Sequence, residues 1–65
     1  MCRSIKQLRR AEEPATDEEV KAAALQFVRK VSGFRQPSRK NEDAFNDAVE
    51  EIARASQQLL DSLET

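Results

Sequence analysis

The sequence predicts an all-α protein, a two-helix antiparallel hairpin preceded by an N-terminal arm. Apolar residues recur three and four positions apart in two segments, a helix-capping pattern precedes the first segment, and the single glycine and Pro37 lie between the two. We expect the arm at residues 1–15 and the hairpin at residues 16–65. Within the hairpin we expect a helix over about 17–32, a turn over about 33–38 and a helix over about 39–63.

The first helix has clear signals at both ends. Thr16 and Glu19 stand three positions apart and form a capping box, in which each side chain accepts a hydrogen bond from the backbone amide of the other. Gly33 suits the left-handed position that ends a helix, and we expect Phe34 to fold back toward Val28. The spacing of four, three and four predicts an inward-facing stripe of Val20, Ala24, Phe27 and Val31.

The second helix is predicted to begin between Ser38 and Asn41, either of which suits an N-cap. Its apolar residues follow a heptad pattern that one serine interrupts: Phe45, Val49, Ile52, Ser56, Leu59 and Leu63. We interpret both stripes as core rather than as a groove for a foreign helix.

The second helix is longer than the first, so its far end needs another cover. Either Ile5 and Leu8 of the arm or a second copy of the chain meets this need. Because a chain of 65 residues is near the lower size limit for folding alone, we expect dimerisation to complete a helical bundle, through Leu59, Leu60 and Leu63.

Composition narrows the classes of function. A single cysteine, Cys2, allows no internal disulfide, and without histidine there is no zinc site of the common spacing. No apolar run is long enough for a membrane span or a signal peptide, so we expect a cytoplasmic protein without membrane contact. We expect no enzymatic activity, no cofactor and no metal.

Charge is distributed in blocks along the chain. Residues 21–40 contain six bases and no acid, and Arg39 and Lys40 lie where the dipole of the second helix favours acids. The sequence therefore predicts an anion-binding turn formed by Lys30, Arg35, Arg39 and Lys40, with the amides that begin the second helix. The alternative is a solvated turn whose bases balance neighbouring acids.

Several segments of the chain resemble a known family. The sequence opens Met1-Cys2-Arg3-Ser4-Ile5-Lys6 and contains Phe27-Val28-Arg29-Lys30-Val31-Ser32-Gly33-Phe34. In these segments it resembles a family of short, mostly bacterial proteins catalogued as a domain of unknown function, which usually begin Met-Cys-Arg-Asn-Ile-Lys. The resemblance covers essentially the whole chain and implies no activity. Ser4 departs from the family pattern, which often has Asn there.

The functional hypothesis is a non-enzymatic interaction module whose contact surface is the basic turn. Its partner is a protein or a second copy of the chain. The first alternative is a nucleic-acid-binding accessory protein that uses the same turn. The weaker alternative is a thiol or metal protein, in which Arg3 and Lys6 favour the thiolate of a reactive Cys2. The simpler interpretation of Cys2 is a small residue that anchors the arm.

Overall fold

A computed structural model describes residues 7–10 and 13–63 of the chain. Within these ranges it contains helix α1 (Asp17–Ser32), a 3-10 helix (Arg39–Asn41) and helix α2 (Glu42–Ser62), and no strand. The two α-helices pack against each other along their length. This arrangement confirms the predicted all-α hairpin.

The start of α1 confirms the predicted capping box. The Thr16 hydroxyl accepts a hydrogen bond from the Glu19 amide at 3.1 Å. In return, the Thr16 amide donates to Glu19 Oε1 at 2.9 Å. Two of the amides that a helix leaves without partners at its N-terminus are satisfied in this way.

The end of α1 also follows its sequence signal. Gly33 has a φ of 81°, in the left-handed region, and its amide donates to the Arg29 carbonyl at 2.9 Å. The next amide, that of Phe34, donates to the Ser32 hydroxyl at 3.1 Å. Because a glycine adopts this conformation without strain, the helix stops here and the chain turns.

The start of α2 lies within the predicted interval, with Asn41 as the N-cap. Neither Ser38 nor Asn41 forms a capping hydrogen bond with its side chain, and the Asn41 side-chain amide donates to the Ser38 hydroxyl at 3.0 Å. The Asn41 backbone amide also donates to the Ser38 carbonyl at 2.9 Å. These short-range bonds wind Arg39–Asn41 into a 3-10 helix, and regular α-helix begins only at Glu42.

The core lies between the helices and differs from the predicted stripe on α1. The prediction that Phe27 and Val31 face inward was wrong, since they are 52% and 69% exposed. The buried residues of α1 are four positions apart, at Val20, Ala24 and Val28, so Val28 faces α2 instead. The buried apolar residues of the described chain are Val20, Ala24, Val28, Phe45 and Val49.

The far end of α2 is only partly covered. Leu59 and Leu63 remain 58% and 43% exposed, while Leu60 is half-buried. Leu60 shares a shallow cavity with four arm residues: Arg9, Arg10, Pro14 and Ala15. These four residues of the arm therefore lie beside this end of α2. Of the two arm residues predicted to cover it, Leu8 is half-buried but does not line this cavity, and Ile5 lies outside the described residues.

Candidate functional site

The turn between the helices is held by one side chain of α1. Arg29 Nε donates to the Arg35 carbonyl at 2.9 Å, across six residues. The Arg29 carbonyl also accepts the Gly33 amide. Arg29 therefore anchors the turn at two points, a role that its sequence position does not signal because no capping pattern links residues 29 and 35.

The predicted anion-binding side chains all lie on the surface of this turn. Lys30, Arg35, Arg39 and Lys40 are exposed. Within residues 7–10 and 13–63, no carboxylate forms an ion pair with any of the four. No described carboxylate therefore balances these charges, which are screened by solvent and by mobile ions.

The structure brings two of these four cations together. Lys30 and Arg35 line an open concavity of about 440 Å³ at the end of α1, together with Gln26, Arg29, Gly33 and Phe34. Arg39 and Lys40 lie on the 3-10 helix and are not part of this lining. The site consequently has two parts. Lys30 and Arg35 form a concave part at the end of α1, and Arg39 and Lys40 form a second part just before α2.

An apolar groove adjoins the basic concavity. It has a volume of about 290 Å³, and Phe34 lines both cavities. Its walls come from both helices, and the residues that line it are Phe27, Val28, Val31, Ser32, Phe34, Asn41, Ala44, Phe45, Ala48 and Ile52. Phe34, at 37% exposed, therefore marks the boundary between a charged surface and an apolar one.

All 65 residues match the model of a protein family described as uncharacterized conserved protein (DUF2277). The chain belongs to this family. No curated protein and no solved structure matches it. The match confirms the resemblance to a family of short proteins. The description of DUF2277 names no activity.

A contact that sequence reasoning missed joins the arm to α1 in this DUF2277 chain. The Arg10 guanidinium forms two hydrogen bonds to the Glu19 carboxylate, at 3.0 and 2.9 Å, and a third to the Pro14 carbonyl at 3.1 Å. The hydrogen bonds from Arg10, followed by the one from the Thr16 amide, lower the pKa of Glu19 from 4.5 to about 2. Glu19 therefore serves both the helix cap and the arm.

The remaining predicted site is Cys2, which lies outside the described residues. Among the residues that the structure does describe, no group of three or more His, Cys, Asp or Glu side chains is placed to hold a metal ion. None of the described helices is long and apolar enough to cross a membrane.

Proposed function

We propose that this chain is a cytoplasmic, non-enzymatic interaction module that binds acidic groups of a partner protein through its basic turn. The observation that supports this function is the set of exposed cations, Lys30, Arg35, Arg39 and Lys40, which pair with none of the described carboxylates. Several cations on one turn attract a ligand that brings carboxylates or phosphates. The proposed ligand is therefore anionic.

Two of these cations share one open concavity. Lys30 and Arg35 both line it, and the hydrogen bond from Arg29 to the Arg35 carbonyl holds the backbone of the turn. A guanidinium can bind a carboxylate through two parallel hydrogen bonds, and an ammonium adds a point charge beside it. We therefore assign Arg35 the main contact and Lys30 a supporting one, with Arg39 and Lys40 guiding the approach of the ligand.

The apolar side chain of Phe34 at the edge of the concavity favours a protein ligand over a nucleic acid. A protein can place an apolar side chain beside Phe34 and a carboxylate in the concavity, whereas a nucleic-acid backbone offers charge without an aliphatic group. The alternative, nucleic acid, draws its support from Phe34, since an exposed aromatic ring among cations provides a surface on which a base can stack.

The test is a titration of ¹⁵N-labelled protein at low salt with three separate probes: a hexaglutamate peptide, inorganic phosphate and a short oligothymidine. We expect hexaglutamate to shift the amide signals of residues 30–40. The double variant Lys30→Glu/Arg35→Glu should abolish these shifts. The control, Lys21→Glu/Arg54→Glu, makes the same change of net charge at exposed positions outside the turn and should retain them.

Salt dependence and Phe34 separate the two ligand classes. The nucleic-acid alternative holds if oligothymidine is the only probe that binds. The logarithm of its binding constant should then fall with the logarithm of the salt concentration at a slope of roughly −3, the value for four cations that contact phosphates. Phe34→Leu should then weaken oligothymidine binding, because stacking is lost, and leave hexaglutamate binding unchanged. If none of the probes shifts these amides, the turn is only a solvated loop.

A further inference from the structure

The hairpin is only one helix layer thick. Its principal extents are 42 × 25 × 15 Å, and an α-helix with its side chains is about 10–12 Å across. Stable domains usually bury their apolar faces between two or more layers. Among residues 7–10 and 13–63, no second layer covers the face on which the apolar groove lies.

On α2 the groove is lined by two small side chains, Ala44 and Ala48, as well as by Phe45 and Ile52. The surface is lower over the two alanines, and Phe27 and Val31 of α1 lie beside them and remain largely exposed. A groove with small residues on its floor and large residues on its wall accepts bulky aliphatic side chains.

The bulky aliphatic side chains that α2 itself exposes lie on the same side of the helix. At about 100° per residue, Leu59 lies about 20° around α2 from Ala48, and Leu63 lies about 60° from it. Leu59 is about 16 Å further along the axis, past the end of the groove. The same face of α2 therefore has a cavity at one end and protruding leucines at the other.

We propose that a second copy of the chain covers this face, with its α2 running antiparallel to the first. In that arrangement Leu59 of each copy fills the groove over Ala48 of the other, and Leu63 lies over Ala44. The midpoint between residues 48 and 59 and the midpoint between residues 44 and 63 are the same point of α2, between Ala53 and Arg54. One two-fold axis through that point therefore produces both contacts. The result is a four-helix bundle of two layers.

Charge selects the antiparallel orientation over the parallel one. The turn end of the hairpin carries Arg35, Arg39 and Lys40, which form no ion pair with a described carboxylate. Antiparallel packing places the two basic turns at opposite ends of the dimer, where they do not repel each other. Parallel packing would place the basic turns side by side.

The register is tested by disulfide cross-linking in a full-length Cys2→Ser background. Ala48→Cys and Leu59→Cys are made as separate proteins, then mixed and oxidised. We expect a disulfide-linked dimer in the mixture and none in either protein alone. In the proposed dimer, the two copies of residue 48 lie about 16 Å apart along the helix axis, and so do the two copies of residue 59. A disulfide joins Cα atoms only up to roughly 7 Å apart, so neither protein can cross-link to itself. Glu50→Cys, on the opposite side of α2, should form no cross-link with either protein.

Sedimentation equilibrium gives a second measurement that needs no cross-link. The wild-type protein should have the mass of a dimer at high micromolar concentration, whereas Leu59→Asp should be monomeric with its helicity retained, because Leu59 is exposed in the single chain. A monomeric wild type overturns the proposal. Cross-linking of Ala48→Cys to itself, or equal cross-linking of Glu50→Cys, overturns the antiparallel register.

Discussion

The pKa of Glu19 measures whether the arm is docked against α1. The perturbation is Arg10→Gln, which removes the guanidinium that gives Glu19 two hydrogen bonds. We expect the pKa of Glu19 to rise from about 2 toward its ordinary value of 4.5. It should remain somewhat below 4.5, because the Thr16 amide still donates to the same carboxylate.

The sign of the effect on stability follows from these two values. The pKa of Glu19 is lower in the folded chain than the ordinary 4.5, so protons bind more readily to the unfolded chain and acid favours unfolding. The stabilisation is complete well above pH 4.5, declines as the pH falls below that value and is lost as it passes about 2. In Arg10→Gln this component of the pH dependence should be much smaller.

The assay is a ¹³C-NMR titration of the glutamate side-chain carboxyls between pH 1.5 and 6. Arg9→Gln is the matched control, since it makes the same change of charge at the neighbouring position and Arg9 is not among the groups that lower the pKa of Glu19. A pKa that stays at about 2 in Arg10→Gln would assign the whole shift to the helix cap. A wild-type pKa near 4.5 would show that Arg10 does not dock in solution.

Three further predictions concern stability and are measured by urea unfolding at a concentration where the chain is monomeric. Thr16→Ala should lower the free energy of unfolding by about 1 kcal/mol, and Thr16→Ser, which keeps the capping hydroxyl, by much less; equal losses would contradict the capping role. Gly33→Ala should cost about 1–2 kcal/mol through its positive φ alone, since no atom lies within 4 Å of the added Cβ, and Gly33→Asn should cost less. Val28→Ala should cost about 2 kcal/mol through lost burial, while Val31→Ala should cost under about 0.5 kcal/mol. A larger loss for Val31→Ala than for Val28→Ala would show that Val31 faces α2, as the sequence predicts.

The parts of the fold that could be predicted from the sequence are those fixed by local chemistry. The capping box at Thr16 and Glu19 and the left-handed Gly33 each depend on residues within one helical turn, so their patterns are sufficient to place both ends of α1. The start of α2 is placed only to within a few residues, because Ser38 and Asn41 both suit an N-cap; in the structure Asn41 is the N-cap, and the two side chains bond to each other rather than to the helix.

The parts that could not be predicted depend on residues far apart in the sequence. Phe27 and Val28 are adjacent and both apolar, so periodicity alone does not decide which of them faces α2. Likewise, Arg10 is one of four bases in residues 1–10, and nothing in its neighbourhood indicates that Glu19 binds it. At the candidate site the sequence supplied the cations, but the concavity and its boundary at Phe34 needed the folded turn.

The double anchorage of the turn by Arg29 bears on how tightly so small a surface can bind. Ordering a flexible six-residue loop on binding would cost about 6–12 kcal/mol of conformational entropy. Here the Arg29 carbonyl and Nε already hold residues 33 and 35 in the free protein. A ligand then immobilises little more than the side chains of Lys30 and Arg35, at about 0.5–1.5 kcal/mol each. The rigidity of the turn is thus what would let two cations give measurable affinity.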